Sequence, residues 1–392
     1  MKNFVLYLSF LSIFAVSCST DKQSNLLCID VSKDYPEKEI ILTDIADVTY
    51  LHLNSESDDF IYRGRINYVT QNTIVVVDHS SQSVLFFSKD GNPKSRFNRM
   101  GQGPEEYTNA GTLMYDEAKD EIYINPYNSD YINVYTSSGE YKRKLTLPQR
   151  NINFQMVFFN DQSIMLYDNT KAWQNIRQKN SGDNTANNAF TEPVDSTVYL
   201  ISTTTGSLQE YIDLPNNNID LSIRSDWGFG EIGYTRVRKC PDGLFLYNPE
   251  TDTIFLYGKD KSLTPYLHKK PLLNDMDPLH AMDNCLDAGN FLFLSVISYK
   301  PDGTTPTTYY AMDKKTDEIF RQKIILPDNK GKVFYIEPRF PNYYEKGYHL
   351  ELDIIELKEA YRDNKLSGKL KELASTLNEE EDNNVYVLVD FI

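Results

Sequence analysis

Short runs of apolar residues, four to six long and bounded by turn formers, recur along this chain with a fixed internal grammar. Ile74–Asp78 is followed by Val84, then Phe87, then the turn glycine Gly91. Forty-eight residues later Ile122–Pro126 is followed by Ile132, Tyr135 and Gly139. Leu244–Asn248 followed by Ile254 keeps the ten-residue offset a third time. Runs of this length and composition read as strands, and Asp90-Gly91 and Ser138-Gly139 sit where two strands must reverse. A repeat of this size with β-rich content predicts a solenoid or a propeller.

Further units follow. Ser163–Asp168 opens one whose partner strand, Val198–Ile201, arrives late, before Thr205-Gly206. The intervening stretch, about residues 169–197, is rich in Asn, Thr, Ser, Gln and Lys and reads as a long insertion in a loop. Asn290–Ser295 with Thr308–Met312 makes another unit. The period changes over Leu350–Leu377, where Leu352, Ile355, Leu357, Ala360, Tyr361, Leu366, Leu370 and Leu373 predict one or two helices. Val385–Ile392 then reads as a strong last strand. So apolar a strand at a chain end invites edge-to-edge association unless it is paired. Closing a ring solves this, and residues 40–53 are its natural partner. About 350 residues at ~45–60 per blade accommodate six or seven blades, and the insertions favour six. The expected fold is therefore all-β: a six-bladed β-propeller over residues 40–392, its N- and C-terminal strands closing one blade and a short helical segment preceding the last strand. A β-sandwich with a helical tail is the alternative, but sandwich strands need not repeat in sequence.

The 392 residues carry a formal charge of -16, with 40% hydrophobic residues, 28 Tyr and 20 Phe. The aromatic and β-branched content suits a large β core. The acidity disfavours nucleic acid and anionic membrane surfaces, which need clustered Lys and Arg. At the N-terminus Lys2 precedes an apolar stretch, Phe4–Val16, too short to span a bilayer. It ends in Ala15-Val16-Ser17-Cys18, which resembles the lipobox of bacterial lipoproteins, with Ala15 where Leu is usual. Residues 1–17 are then a signal peptide, Cys18 the lipidated residue and residues 18–39 a tether; an ordinary secretory signal cut nearby is the alternative. Acyl chains on Cys18 would give durable anchoring. Ser19 in place of an inner-membrane retention Asp favours the outer membrane of a Gram-negative bacterium. Cys28, Cys240 and Cys285 fit no disulfide framework and read as buried small hydrophobes, with a Cys240–Cys285 bond as the alternative.

Met100-Gly101-Gln102-Gly103-Pro104-Glu105-Glu106-Tyr107 resembles the G-x-G-P-G-E-Y segment of the six-bladed propeller lipoproteins of Bacteroides-type bacteria, which are similar to NHL-repeat propellers. Glu105 stands where that family more often has Gly. Ile45–Leu53, Asp252–Leu256 and the helix followed by Asn384–Val387 resemble its entry strand, its D-T-I-Y segment and its C-terminal closure. The resemblance implies a propeller fold and an envelope location, and it brings no catalytic residue and no cofactor.

Candidate chemistry is sparse. Five histidines, His52, His79, His268, His280 and His349, are scattered; no HExxH, HxH or Cys/His cluster predicts a metal site, and no nucleophile elbow or phosphate loop is present. A propeller can nonetheless gather ligands from separate blades. Arg99, Gln102, Glu105 and Tyr107 are expected either to shape a turn or to reach the rim of the central channel. Arg63 and Arg65, flanking Gly64 before an inner strand, are expected to pair with the protein's own carboxylates or to line the channel and bind anions. Trp173 and Trp227 lie in polar, Asn- or Gly-rich segments, where an exposed ring suits sugar or peptide binding. The expected function is a non-catalytic binding or scaffolding module for a glycan, a peptide or an envelope protein. The alternative is a lyase or lactonase resembling the NHL-like enzymes, with a metal in the channel.

Overall fold

The computed structural model describes residues 26–55, 58–127, 129–148, 154–168, 197–215, 222–225, 228–231, 236–338, 343–344, 347–379 and 382–392. Within them the strands form six radial blades. Blade one runs outward through Ile66–Val69, Thr73–Val77, Val84–Ser88 and Pro93–Phe97. Blade two uses Thr112–Asp116, Glu121–Asn125, Tyr131–Tyr135 and Tyr141–Thr146. Blade three uses Phe154–Asn160, Ser163–Asp168, Val198–Ser202 and Leu208–Tyr211. Blades four and five begin at Val237–Cys240 and Leu279–Ala288 and end at Leu263–Lys270 and Glu318–Ile325. A hairpin, Ser222–Ser225 with Gly228–Glu231, precedes blade four.

The two repeat units read from the sequence are blades one and two, and their shared grammar has a physical cause. The Ile74 and Ile122 strands are each the second in their blade, buried on both faces, so every position is apolar or a satisfied polar group. Ten residues on lies the third strand, and the glycine that follows turns the chain outward. Gly91 and Gly139 adopt φ of 82° and 83°, the left-handed region that only glycine enters without strain. A Cβ on Gly139 would sit 2.5 Å from the Cβ of Phe97 in blade one, so the small residue also lets neighbouring blades touch. The seams are hydrophobic: Phe86, Phe97, Tyr107, Tyr115 and Tyr135 pack in one cluster between blades one and two.

Blade six closes the ring. Val385–Phe391 is its middle strand, between Gly347–Leu352 and Ala46–His52. Both pairings are antiparallel, with Val385 opposite His52 and Phe391 opposite Ala46. The last strand thus has no open edge, as its apolar composition demands. The chain between the first two of these strands forms helices α1 (Ile354–Arg362) and α2 (Gly368–Thr376). Asp353 caps α1 by accepting hydrogen bonds from the amides of Ile355 and Glu356. Leu357, Leu370 and Ala374 press the pair against blades five and six.

The N-terminal segment differs from the expected tether over 18–39. From Leu27 onward it belongs to the ring. Leu27–Asp30 adds a fifth, parallel strand to blade four, and Glu37–Ile41 does the same for blade five. Ile29 and Ile40 are the buried anchors. The chain therefore fastens three successive blades from outside before entering the ring at Ile66.

Candidate functional site

The glycine-rich loop after blade one is built as a turn. Gly101 N–H donates to the carbonyl of Tyr107, Tyr107 N–H donates to that of Arg99, and the Glu106 carboxylate accepts from Gly103 N–H at 2.8 Å. Tyr107 is fully buried; its hydroxyl donates to the Gln82 carbonyl at 2.8 Å. The expectation that Tyr107 reaches the channel rim is thus corrected: an aromatic ring flanked by Phe97 and Tyr135 is held by the blade seam. Arg99 lies on the exposed side, with Nε donating to the Gly139 carbonyl at 2.9 Å, and Gln102 and Glu105 are exposed on the loop. The Glu105 carbonyl accepts from the Tyr135 hydroxyl. These contacts staple blade one to blade two.

Polar groups gather instead on the strands nearest the ring centre. Arg238, on the innermost strand of blade four, is buried and donates from Nη2 to the Pro338 carbonyl at 3.0 Å. Arg65 is exposed and immediately precedes the innermost strand of blade one, across the ring from blade four. His349, half-buried, lies on the innermost strand of blade six, with its ring facing the edge of Tyr386 at 6.0 Å. Burial, and then the positive charges of Arg65 and Arg238, push the His349 imidazole down to about 3. It is neutral at any ordinary pH.

A second polar group lines the seam between blades four and five. Asp283 and Asn284 occupy a register break in the innermost strand of blade five, and both are fully buried. Such bulges re-aim side chains. The Ser295 hydroxyl donates to Asp283 at 3.0 Å, and the Asn284 amide donates to the Phe245 carbonyl at 3.3 Å. The buried guanidinium of Arg236 stands 5.5 Å over the Tyr167 ring. Tyr247 is buried beside these groups; burial, Asp252 and Asp283 push its phenol well above the usual range, so it stays protonated.

Of the residues singled out from sequence, Arg65 is exposed where the chain enters the innermost strand of blade one. Arg63 is exposed, and its amide donates to Asp78 at 2.9 Å. Trp173, Trp227 and almost all of the 169–197 insertion, through Ser196, lie outside the described residues. Cys28 is exposed rather than buried, Cys285 is buried and Cys240 half-buried; all three are free thiols. Burial raises Cys240 to about 12 and pushes Cys285 well above the usual thiol range, so both are unreactive thiols packed as small apolar groups. Among the described residues no three His, Cys, Asp or Glu side chains are placed to hold a metal ion. Arg236, Arg238, Asp283 and His349 were missed by sequence reasoning. The available signal was a pair of arginines at alternate positions, Arg236 and Arg238, at the entry of a short strand.

The chain belongs to the family described as a domain of unknown function, DUF4934, whose model matches residues 26–390. No curated protein matches it. Among solved structures it is similar to a protein of Bacteroides fragilis described as exported, at 15% identity and a TM-score of 0.62, covering 93% of this chain and 99% of that one. It also matches a DUF4221 family member from Bacteroides vulgatus, at 12% identity and a TM-score of 0.46, covering 89% of this chain and 97% of the other. Virginiamycin B lyase from Staphylococcus aureus matches at 13% identity and a TM-score of 0.31, covering 70% of this chain and 98% of that chain. At these identities the first match speaks for the fold alone.

Proposed function

Taking a DUF4934 propeller as the premise, we propose that this protein is an exported, lipid-anchored binding or scaffolding module that captures its ligand at the mouth of the central channel without transforming it. The observation that carries the reading is the placing of Arg65, exposed at the start of the innermost strand of blade one, with Arg238 and His349 on the innermost strands of blades four and six, in a chain of charge -16. A rigid ring that presents side chains from separate blades to one opening is a good frame for recognition, with specificity set by a few placed polar groups. Glycan, peptide and envelope-protein ligands all fall within this reading.

The anchor would be the acylated Cys18. No helix among the described residues is long and apolar enough to cross a membrane. Since Leu27 is already fixed on the outside of blade four, the chain from Cys18 reaches at most about 30 Å. The ring would then work close to the outer membrane, with blade four nearest the lipid.

The test is a glycan and peptide array probed with the full mature chain and with Arg65→Ala, beside membrane fractionation of Cys18→Ser. The reading expects array hits that fade with Arg65→Ala and release of Cys18→Ser from the membrane. Array hits that survive Arg65→Ala unchanged would move recognition away from the channel. A Cys18→Ser variant that still sediments with membranes would remove the lipid anchor.

A further inference from the structure

We propose that the inner edge of blade one is a docking edge for an extended, tyrosine-bearing peptide, and that the chain's own Tyr343–Tyr344 occupies it as a built-in competitor. The docking edge rests on the binding reading above and names the kind of ligand and the contact that holds it off.

The path of the chain points there. Blade five ends at Glu318–Ile325, and Val333–Phe334 folds back against it. Blade six begins only at Gly347. Connections between such elements are commonly a few residues long; this one detours through the inside of the ring. Its start is fixed by the Gln322 side chain, which accepts from the Ile336 amide and donates to the Ile336 carbonyl, both at 3.0 Å. Arg238, on the innermost strand of blade four, donates to the Pro338 carbonyl at 3.0 Å. Tyr343–Tyr344 then pairs in parallel with Tyr68–Val69. The pair lies on the side of Ile66–Val69 away from Thr73–Val77, which is the side facing the ring centre. The structure thus shows this edge in use, with an extended chain laid along it.

A tyrosine pocket stands beside the edge. The Tyr344 ring is buried; its hydroxyl accepts from Lys89 Nζ at 2.7 Å and donates to Asp390. Lys89 Nζ also lies 4.4 Å from the centroid of that ring. The ammonium and the carboxylate therefore read a tyrosine by its tip, and the ammonium adds an attraction to the ring. A strand edge that supplies main-chain hydrogen bonds, with a pocket for a side chain next to it, is how sheets recognise extended peptides. The internal pairing is brief. Two residues make it, against the seven of Val385–Phe391 that seal the ring. Blade one has its four antiparallel strands without it. Segments held by so few contacts open before the sheets they rest on. An internal occupant lowers the apparent affinity of an outside one by the fraction of time that the edge stands open.

The probe is a fluorescent, end-capped peptide copying residues 341–346, whose one Glu and one Lys leave it neutral. Anisotropy follows its binding to the full mature chain and to Tyr344→Phe. That variant keeps the ring but loses the hydroxyl, so the internal segment lets go more readily while Lys89 and Asp390 remain for the tyrosine of the probe. The expected result is binding to the natural chain, tightened about fivefold or more in Tyr344→Phe, and about fivefold weaker for a probe with phenylalanine at the second tyrosine. Tyr107→Phe, which loses a buried hydroxyl contact in the seam between blades one and two, is expected to leave the affinity within about twofold. Equal affinity for the natural chain and Tyr344→Phe would overturn the competition. Equal affinity of the two probes would overturn the pocket, and this comparison on the natural chain holds even if Tyr344→Phe loses its fold. Equal gains in Tyr344→Phe and Tyr107→Phe would reduce the effect to general loosening and overturn the inference. Absence of binding to both chains at millimolar probe would overturn it outright. Array hits confined to glycans and fading with Arg65→Ala would keep the binding reading and remove the peptide edge.

Discussion

Replacing Glu121 by Gln reads out a polar clasp that joins two blades. Glu121 sits on the second strand of blade two, its side chain only 9% exposed. Both of its oxygens accept from Arg143 at 2.7 Å, and Lys142 lies 3.1 Å away. Arg143 Nη2 also donates to the Thr203 carbonyl at 3.0 Å, so the clasp ties blade two to blade three. Hydrogen bonds from Arg143, aided by Tyr123 and Lys142, hold the Glu121 carboxyl down from 4.5 to about 2. At about 1.4 kcal/mol per pH unit, that difference is worth about 3 kcal/mol of stability. The folded value lies below the unfolded one. The contribution is therefore complete above pH 4.5 and lost as pH falls toward 2. Urea unfolding of the natural chain and of Glu121→Gln at several pH values between 2 and 7 checks this. The variant should be less stable by about 3 kcal/mol at pH 7, and the gap should shrink to a few tenths of a kcal/mol as pH falls to about 2, where the natural side chain is half protonated. A stability gap that stays constant across this range would refute the electrostatic account and reduce the clasp to packing.

Other consequences are open to the same assay. Leu388→Ala empties a buried position in the strand that closes the ring and should cost about 2–5 kcal/mol in urea unfolding. Tyr107→Phe removes the hydroxyl that binds Gln82 and should cost about 1 kcal/mol without changing ligand affinity. Lys269→Met strands Asp252, its buried partner at 3.2 Å, and should cost about 3–5 kcal/mol near pH 7. Burial raises Asp252 to about 6 even with the lysine present, so the loss should shrink as pH falls below that value and the carboxyl neutralises.

The blades were legible because their signal is local. Second and third strands such as Thr73–Val77 and Val84–Ser88 are apolar throughout, and the turn glycines between later strands need φ values that few other residues adopt. The closing pair was legible because an apolar terminal strand must find a partner. Leu27–Asp30 and Glu37–Ile41 escaped notice for the opposite reason. In Glu37–Ile41 only Ile40 is buried, so the segment reads as polar tether, and its parallel partner lies about 280 residues away. The 99–107 loop left two readings open, a turn or the channel rim, because spacing does not say which way a side chain points: the tyrosine faces the seam, and the exposed side carries Gln102 and Glu105. The places of the residues on the inner strands were illegible for a topological reason. Arg65, Arg238 and His349 are separated by more than a hundred residues each, and nothing in the spacing tells which strand of a blade stands innermost.

Laying the final strand between a partner only a few dozen residues upstream and another more than 330 residues away has a kinetic consequence. While the ribosome is still emitting chain, blades one to three can assemble from neighbouring hairpins, yet Ala46–His52 has nowhere to dock. Its docking surface arrives with the last eight residues. Until then Leu51 and its apolar neighbours stay uncovered during synthesis. Such long-range pairings are slow to form and are exposed to misassociation in the meantime. A single late sealing step, after the other blades have formed, is the route this connectivity favours.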